Sequence, residues 1–401
     1  MAQMKLTRRQ FLKGISVTCA SSGLLVNPFA TGVAVGKDKP REDEKRLPDM
    51  EHRTLGRTGL KVSALGHGVM RLTDRSVLFE ALEKGINYFD TAHVYQNGNN
   101  EEMLGGVLKD YGRDKAFIAT KIPPYHRGMV IKQLQDTATM EAMLEKSLQR
   151  LRTDYVDVLF LHNIDDPGWP ANEEMMKFLE KQKKAGKTRF VGISFHVEGD
   201  RYVDIVNQAL GTDLYDVFLA TYNFKSPPEH HAALRLARIK QVGIVAMKTQ
   251  AGGYDKGVTG GLNPHQAALK WVLDQDFVDC AIPGMVNREQ LEQNVAAVGK
   301  KSCWHDRKVL HAYYAAIKDR YCVRCGSCSS SCSRDIDIPS IHRSLMYWEG
   351  YGDLEFARAT YRELSAKNNA KTCIRCSKPT CRCVNGIKID ERMRYAHTVL
   401  A

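Results

Sequence analysis

From residue 62 onward the chain alternates short, almost continuously apolar runs with longer stretches whose apolar positions recur at helical spacing. The runs are VSALGHG (62–68), INYFDT (86–91), AFIATKI (116–122), VDVLFLHN (156–163), FVGISFH (190–196), VFLATYN (217–223), GIVAMKT (243–249) and FVDCAIPG (277–284). Such runs, rich in β-branched residues, are what parallel strands covered on both faces require. Between them stand amphipathic segments such as TATMEAMLEKSLQRL (137–151) and PHQAALKWVLDQ (264–275). The second opens with Asn263 placed to cap a helix and Pro264 at its first position. Eight strand–helix units predict an α/β fold, a closed (β/α)₈ TIM barrel. A doubly wound sheet is the alternative, but no G-x-G-x-x-G follows the first run.

A barrel of this kind carries its chemistry at the C-terminal ends of the strands. The polar residues that end the apolar runs are Asp90, Lys121, His162, Ser194, Asn223 and Lys248. Each stands where a core residue would otherwise be expected, so together they predict a ring around a mouth.

Charge divides the 401 residues unevenly. Residues 1–50 hold 9 Lys and Arg against 5 Asp and Glu, residues 300–401 hold 19 against 10, and the whole chain carries +12. The body between is nearly neutral. No recognition motif accompanies the basic tail, which argues against nucleic acid. An acidic redox protein, an anionic membrane surface touched only peripherally, or negative charge within the tail itself would suit it.

The first residues have the order of an export signal: a basic start, then a moderately apolar stretch from Ile15 to Val35 that ends in small residues. Ser, Thr, Asn, Pro and Gly interrupt that stretch, which argues against a membrane span. TRRQFLK, with Arg8 and Arg9 followed by Phe11, Leu12 and Lys13, resembles the twin-arginine signal. That resemblance implies export of a folded protein by the twin-arginine machinery to the periplasm or an equivalent location. The reading divides the chain into a signal (1–36), a charged linker (37–50), the barrel (51–300) and a cysteine-rich tail (301–401).

Eight of the 11 cysteines fall between Cys322 and Cys383. Eight within so short a span pair poorly as disulfides. Zinc prefers paired Cys-x2-Cys, and three cysteines in a row at that gap do not suit it. Cys322, Cys325, Cys328 and Cys332 have the spacing of the bacterial ferredoxin run for a [4Fe–4S] cluster. The second run is Cys373, Cys376, Cys381 and Cys383, with Pro379 where its third ligand would stand. Two clusters are favoured over one. The crossed pattern assigns Cys322, Cys325, Cys328 and Cys383 to one, and Cys332, Cys373, Cys376 and Cys381 to the other. The spacer between the runs, with DLEFARATYRELSAK, predicts a small, mostly helical module.

HRTLGRTGLKVSALGHG, FDTAHVY (89–95), ATKI (119–122) and LFLHN (159–163) resemble the segments that define the aldo-keto reductase family, over residues 52–300. The resemblance implies a catalytic tetrad of Asp90, Tyr95, Lys121 and His162. A free tyrosine is a weak acid at neutral pH, and a neighbouring ammonium lowers its pKa. Lys121 is expected to do so, with Asp90 holding the ammonium and His162 orienting the carbonyl. For a nicotinamide cofactor, NADP or NAD, the resemblance implies Ser194, Met247, Lys248, Gly284, Arg288 and Asn294. Several usual partners are replaced, by Phe195, Leu219, Met247 and Gln290. With its tail the whole chain resembles the bacterial group of exported iron–sulfur aldo-keto reductases, and Arg324, Arg334, Arg375 and Arg382 would offset cluster charge.

The expected function is therefore an exported oxidoreductase. It would reduce a small-molecule carbonyl, or oxidise an alcohol, with a nicotinamide, and be coupled through iron–sulfur electron transfer to a redox partner. The alternative is an iron–sulfur carrier or scaffold whose barrel has lost nicotinamide turnover.

Overall fold

The computed structural model describes residues 50–125, 135–197, 199–254, 263–334 and 336–401. The twin-arginine segment and the charged linker lie outside the described residues, apart from Met50.

β1 (His52–Thr54) and β2 (Lys61–Ser63) form an antiparallel hairpin, with Arg53 opposite Val62. Its turn seals one end of the barrel. At Gly56, φ is +45°, and a Cβ there would stand 2.2 Å from the Gly243 nitrogen, so the approach admits only glycine. Leu55, Leu60 and Val62 enter the barrel interior beside Val158, Val217 and Val245.

Eight parallel strands follow: β3 (His67–Gly68), β4 (Tyr88–Asp90), β5 (Phe117–Ile122), β6 (Val156–Ile164), β7 (Thr188–Phe195), β8 (Val217–Thr221), β9 (Gly243–Met247) and β10 (Cys280–Ala281). Each pairs with the next in sequence, and a parallel bridge from Leu65 to Ala281 joins last to first. The Gly66 N–H donates to the Ala281 carbonyl at 2.9 Å, and the Ala281 N–H to that of Ala64 at 2.8 Å. The sheet is closed, which excludes the doubly wound alternative. The first apolar run is split between β2 and β3, because its start pairs back on the hairpin while its end enters the barrel.

Helices cover the outside, and their starts follow from the side chains preceding them. Asp136 accepts from the Thr139 N–H, Asn172 from those of Glu174 and Met175, and Asn263 from those of His265 and Gln266. Between strands and helices lies one apolar shell, including Phe89, Leu159, Phe178, Ile193 and Phe218. A second, around Tyr88, Phe160, Leu219 and Val245, fills the barrel itself.

The C-terminal segment is helical, with principal helices Trp304–Ile317, Ile338–Glu349, Leu354–Arg362 and Ile389–Leu400. The first packs Val309 and Leu310 on Ala267 and Ala268 of the helix Pro264–Leu273. The rest share a core of Ile341, Leu345, Tyr361, Met393 and Leu400, which takes in Ala251 and Tyr254 from the loop after β9. Arg392 clamps Glu349 with two bonds of 2.7 Å. This segment is therefore seated on the mouth of the barrel. Among the described residues, no helix is long and apolar enough to cross a membrane.

Candidate active site

β4, β5 and β6 deliver the tetrad. Asp90 ends β4, Lys121 lies near the end of β5, and His162 near the end of β6. Tyr95 opens a short turn beyond β4. The Lys121 ammonium donates to Asp90 Oδ1 at 2.5 Å, to the Thr91 carbonyl at 2.6 Å and to the Tyr95 hydroxyl at 3.3 Å. The His162 ring stands edge-on to that of Tyr95, with centroids 5.7 Å apart.

Lys121 is 1% exposed, and burial by itself lowers its pKa. Asp90 and Tyr95 outweigh burial and hold the ammonium above its ordinary pKa. For Tyr95 burial is the largest influence and raises the phenol's pKa, while Lys121 and Lys248 pull it down. The expected lowering by Lys121 is present, but burial reverses the sum. Tyr95 is thus a neutral phenol at neutral pH, the form that can give a proton.

These groups face a cavity of about 1330 Å³. It runs from Tyr95 and His162 past Met247 and Lys248 to Gly284 and Asn294, and its far wall is built by the C-terminal segment. Small-molecule sites span roughly 300–1000 Å³, so an elongated cofactor and a substrate fit here together.

The cofactor expectations divide. Met247, Lys248, Gly284 and Asn294 line the cavity, and Asn294 accepts from the Gln250 amide at 3.0 Å. Ser194 is fully buried, and its hydroxyl accepts the Asn163 N–H at 2.8 Å. Arg288 points to solvent and pairs with Glu80. Neither lines the cavity. Of the remaining ring, Asn223 is buried beneath the mouth, donating to the Lys248 carbonyl and the Tyr321 hydroxyl, each at 3.1 Å.

Asn163 is a cavity residue that the sequence reading passed over. The β6–β7 register shifts between Leu161 and Ile164, and Asn163 has φ +59°. That irregularity re-aims its side chain toward the Tyr125 hydroxyl, 2.9 Å away. The polar residue straight after His162 was the available signal. Gln96, Asn97, Lys248 and Arg324 also combine positive φ with a place on the cavity wall. Strained backbone of this kind gathers at functional sites.

The tail cysteines fall into two groups by their mutual influence. Cys322 feels Cys328 and Cys325, and Cys328 feels Cys325 and Cys383. Cys373 feels Cys332, Cys381 and Cys376. Burial first, then these neighbours, push the Cys322 thiol up to about 12 and those of Cys328 and Cys373 up to about 11. The described cysteines form no disulfide. Among the described residues, no three Cys, His, Asp or Glu side chains converge as ligands of a single metal ion. Cys325 also lines the main cavity.

The profile of the Aldo/keto reductase family matches residues 65–259. L-galactose dehydrogenase from Arabidopsis thaliana is 31% identical over 319 residues, spanning 68% of this chain and 96% of that protein. A methylglyoxal reductase from Escherichia coli is 28% identical over 274 residues, spanning 63% and 93%. The solved holo form of an aldo-keto reductase from Bacillus halodurans superposes with a TM-score of 0.55 at 27% identity, over 65% of this chain and 95% of that one.

Proposed function

The chain belongs to the aldo/keto reductase family, and from that premise we propose that it interconverts a small carbonyl compound and its alcohol between Tyr95 and His162, with a nicotinamide dinucleotide along the cavity and iron–sulfur clusters in the tail. The observation that carries the reading is the Asp90–Lys121–Tyr95 chain of bonds opening onto the cavity.

The residues fit the dinucleotide. The cavity is large enough, and the Thr249 hydroxyl on its wall is buried without a partner, a donor free for a cofactor oxygen. Met247, Thr249, Gly284 and Asn294 would hold it. Bound nicotinamide supplies the hydride. The protein does the rest. His162 orients the carbonyl oxygen, and Tyr95 gives its proton to that oxygen as negative charge develops there. Lys121 stabilises the phenolate left behind, and Asp90 keeps Lys121 in place.

The cysteine groups fit [4Fe–4S] clusters. A cubane takes one thiolate per iron, so its ligands need not converge on a single point. The N–H groups of Arg324 and Asn385 each donate to a cysteine sulfur, Cys322 and Cys383, at 3.4 Å. Such bonds tune cluster potential. The clusters would move single electrons to a redox partner, and the N-terminal segment would send the loaded protein through the twin-arginine route. The test is the iron, sulfide and nicotinamide content of anaerobically purified protein, with its rate of carbonyl reduction. Clusters and nicotinamide with reduction support the proposal. Clusters without nicotinamide or reduction favour the carrier alternative.

A further inference from the structure

The proton chemistry at Tyr95 leaves the opposite wall of the cavity unused, and that wall carries concentrated positive charge. Arg324 and Arg343 reach it from the C-terminal segment and Lys248 from the end of β9. They surround the buried phenol of Tyr347, whose ring centre lies 5.9 Å from the Lys248 ammonium. Burial raises the Tyr347 pKa, yet Lys248, Arg343 and Arg324 bring it below its ordinary value. The same three act on His196 together with His162, and Lys248 acts on Tyr95. The cations line the same cavity as Tyr95 and His162.

What distinguishes them is the lack of a carboxylate at bonding distance. Lys121 has Asp90 at 2.5 Å, and Arg71, which also lines the cavity, has Asp353 at 3.5 Å. No ion pair among the described residues includes Arg324, Arg343 or Lys248. The Nε of Arg343 is buried with no hydrogen-bond partner. Asp165, Asp337 and Glu363 act on the arginines only from further off, and Asp337 is engaged in capping, accepting the Ser340 N–H at 3.1 Å. Arg324 is held at φ +62°, a left-handed conformation that a residue with a Cβ adopts only at a cost. Partly desolvated like charges repel one another unless an anion completes the arrangement.

We propose that Arg324, Arg343 and Lys248 bind an oxyanion, a carboxylate or phosphate ester, on the carbonyl substrate, so that the C-terminal segment selects anionic substrates for the tetrad. This rests on the reductase reading. Guanidinium groups match planar and tetrahedral oxyanions with paired donors, and Lys248 adds a point charge on the side of Tyr95.

The test uses the full-length protein, NADPH and two pairs of aldehydes matched except for charge. These are para-carboxybenzaldehyde against benzaldehyde, and phosphoglyceraldehyde against glyceraldehyde. The wild type should prefer the charged member of at least one pair, which identifies the oxyanion. Arg324→Gln and Arg343→Gln should each cut kcat/KM for that member by about tenfold to a hundredfold, mainly through KM. Reduction of the neutral member and NADPH binding, followed by fluorescence quenching, should hold within about twofold. Equal losses on charged and neutral members overturn the proposal. So do an unchanged preference and weakened NADPH binding, the last because it makes these cations a cofactor site. If the wild type reduces none of the aldehydes, the reductase reading fails instead. Calorimetric titration with benzoate and with glycerol phosphate then decides the anion site: binding lost in both variants supports it, and no binding to the wild type overturns it.

Discussion

The two walls of the cavity handle charge in opposite ways. On the barrel wall Lys121 is matched by Asp90 at 2.5 Å, and the pair is almost wholly removed from solvent. On the wall from the C-terminal segment, Arg324 and Arg343 face inward without a carboxylate at bonding distance. A matched pair is complete before any ligand arrives and can set a phenol for proton transfer. An unmatched pair is complete only with a ligand. The barrel wall is thus built for chemistry and the tail wall for recognition.

The largest effect that would sharpen this contrast comes from Tyr95→Phe. Removing the proton donor should lower kcat for carbonyl reduction about a thousandfold and leave KM for the substrate nearly unchanged, in steady-state assays. An arginine variant on the other wall does the reverse. Lys121→Met should follow. It strands the buried Asp90 carboxylate, so activity should be lost and unfolding free energy should fall by about 3–5 kcal/mol in urea titrations. A stability loss under about 1 kcal/mol would show that the barrel wall is not charge-matched.

In the tail, Glu349→Gln breaks the double clamp from Arg392, whose partners are only 14% and 10% exposed. A loss of about 3 kcal/mol is expected, with the neutral-aldehyde rate unchanged below the melting range. Under the proposal of two clusters, Cys328→Ser should remove roughly half of the iron and sulfide, while Cys303→Ser, at the start of the helix Trp304–Ile317, should remove none.

The smallest effect is one of pH, and it touches both regions. Burial lowers His67 in the barrel to about 4 and His342 in the tail to about 3, each from 6.5. A histidine held neutral in the fold contributes stability that is fully present above about pH 6.5 and lost as pH falls toward the folded value. The urea midpoint should therefore drop between pH 6.5 and 4. Both ring nitrogens of His342 are buried without partners, so His342→Leu should flatten part of that drop.

Much of this was legible in the sequence because it is local. Continuous apolar runs marked the strands, Asn263 and Pro264 marked a helix start, and the spacing of Asp90 to Tyr95 marked the tetrad. What the sequence hid depends on contacts between distant segments or on backbone irregularity. Ser194 ends an apolar run like its neighbours, but the bulge beyond Leu161 turns the Asn163 N–H onto its hydroxyl and leaves Asn163 at the cavity. Arg288 finds Glu80, far away in the chain. Arg324 lines the small pocket of Cys322, Cys325, Cys328 and Cys383 and also the main cavity, a second place that depends on its left-handed backbone between two cysteines. Burial of Tyr95, and so the upward direction of its pKa, requires the folded mouth.

The central claim is that this cavity reduces a carbonyl with a proton from Tyr95. It is tested most directly by mixing NADPH-loaded protein anaerobically with an aldehyde and following the loss of reduced-nicotinamide absorbance in a single turnover. The account predicts rapid aldehyde-dependent loss in the wild type, and almost none in Tyr95→Phe despite equal NADPH binding. Equal rates in the two proteins, or no aldehyde-dependent loss in the wild type, would contradict it.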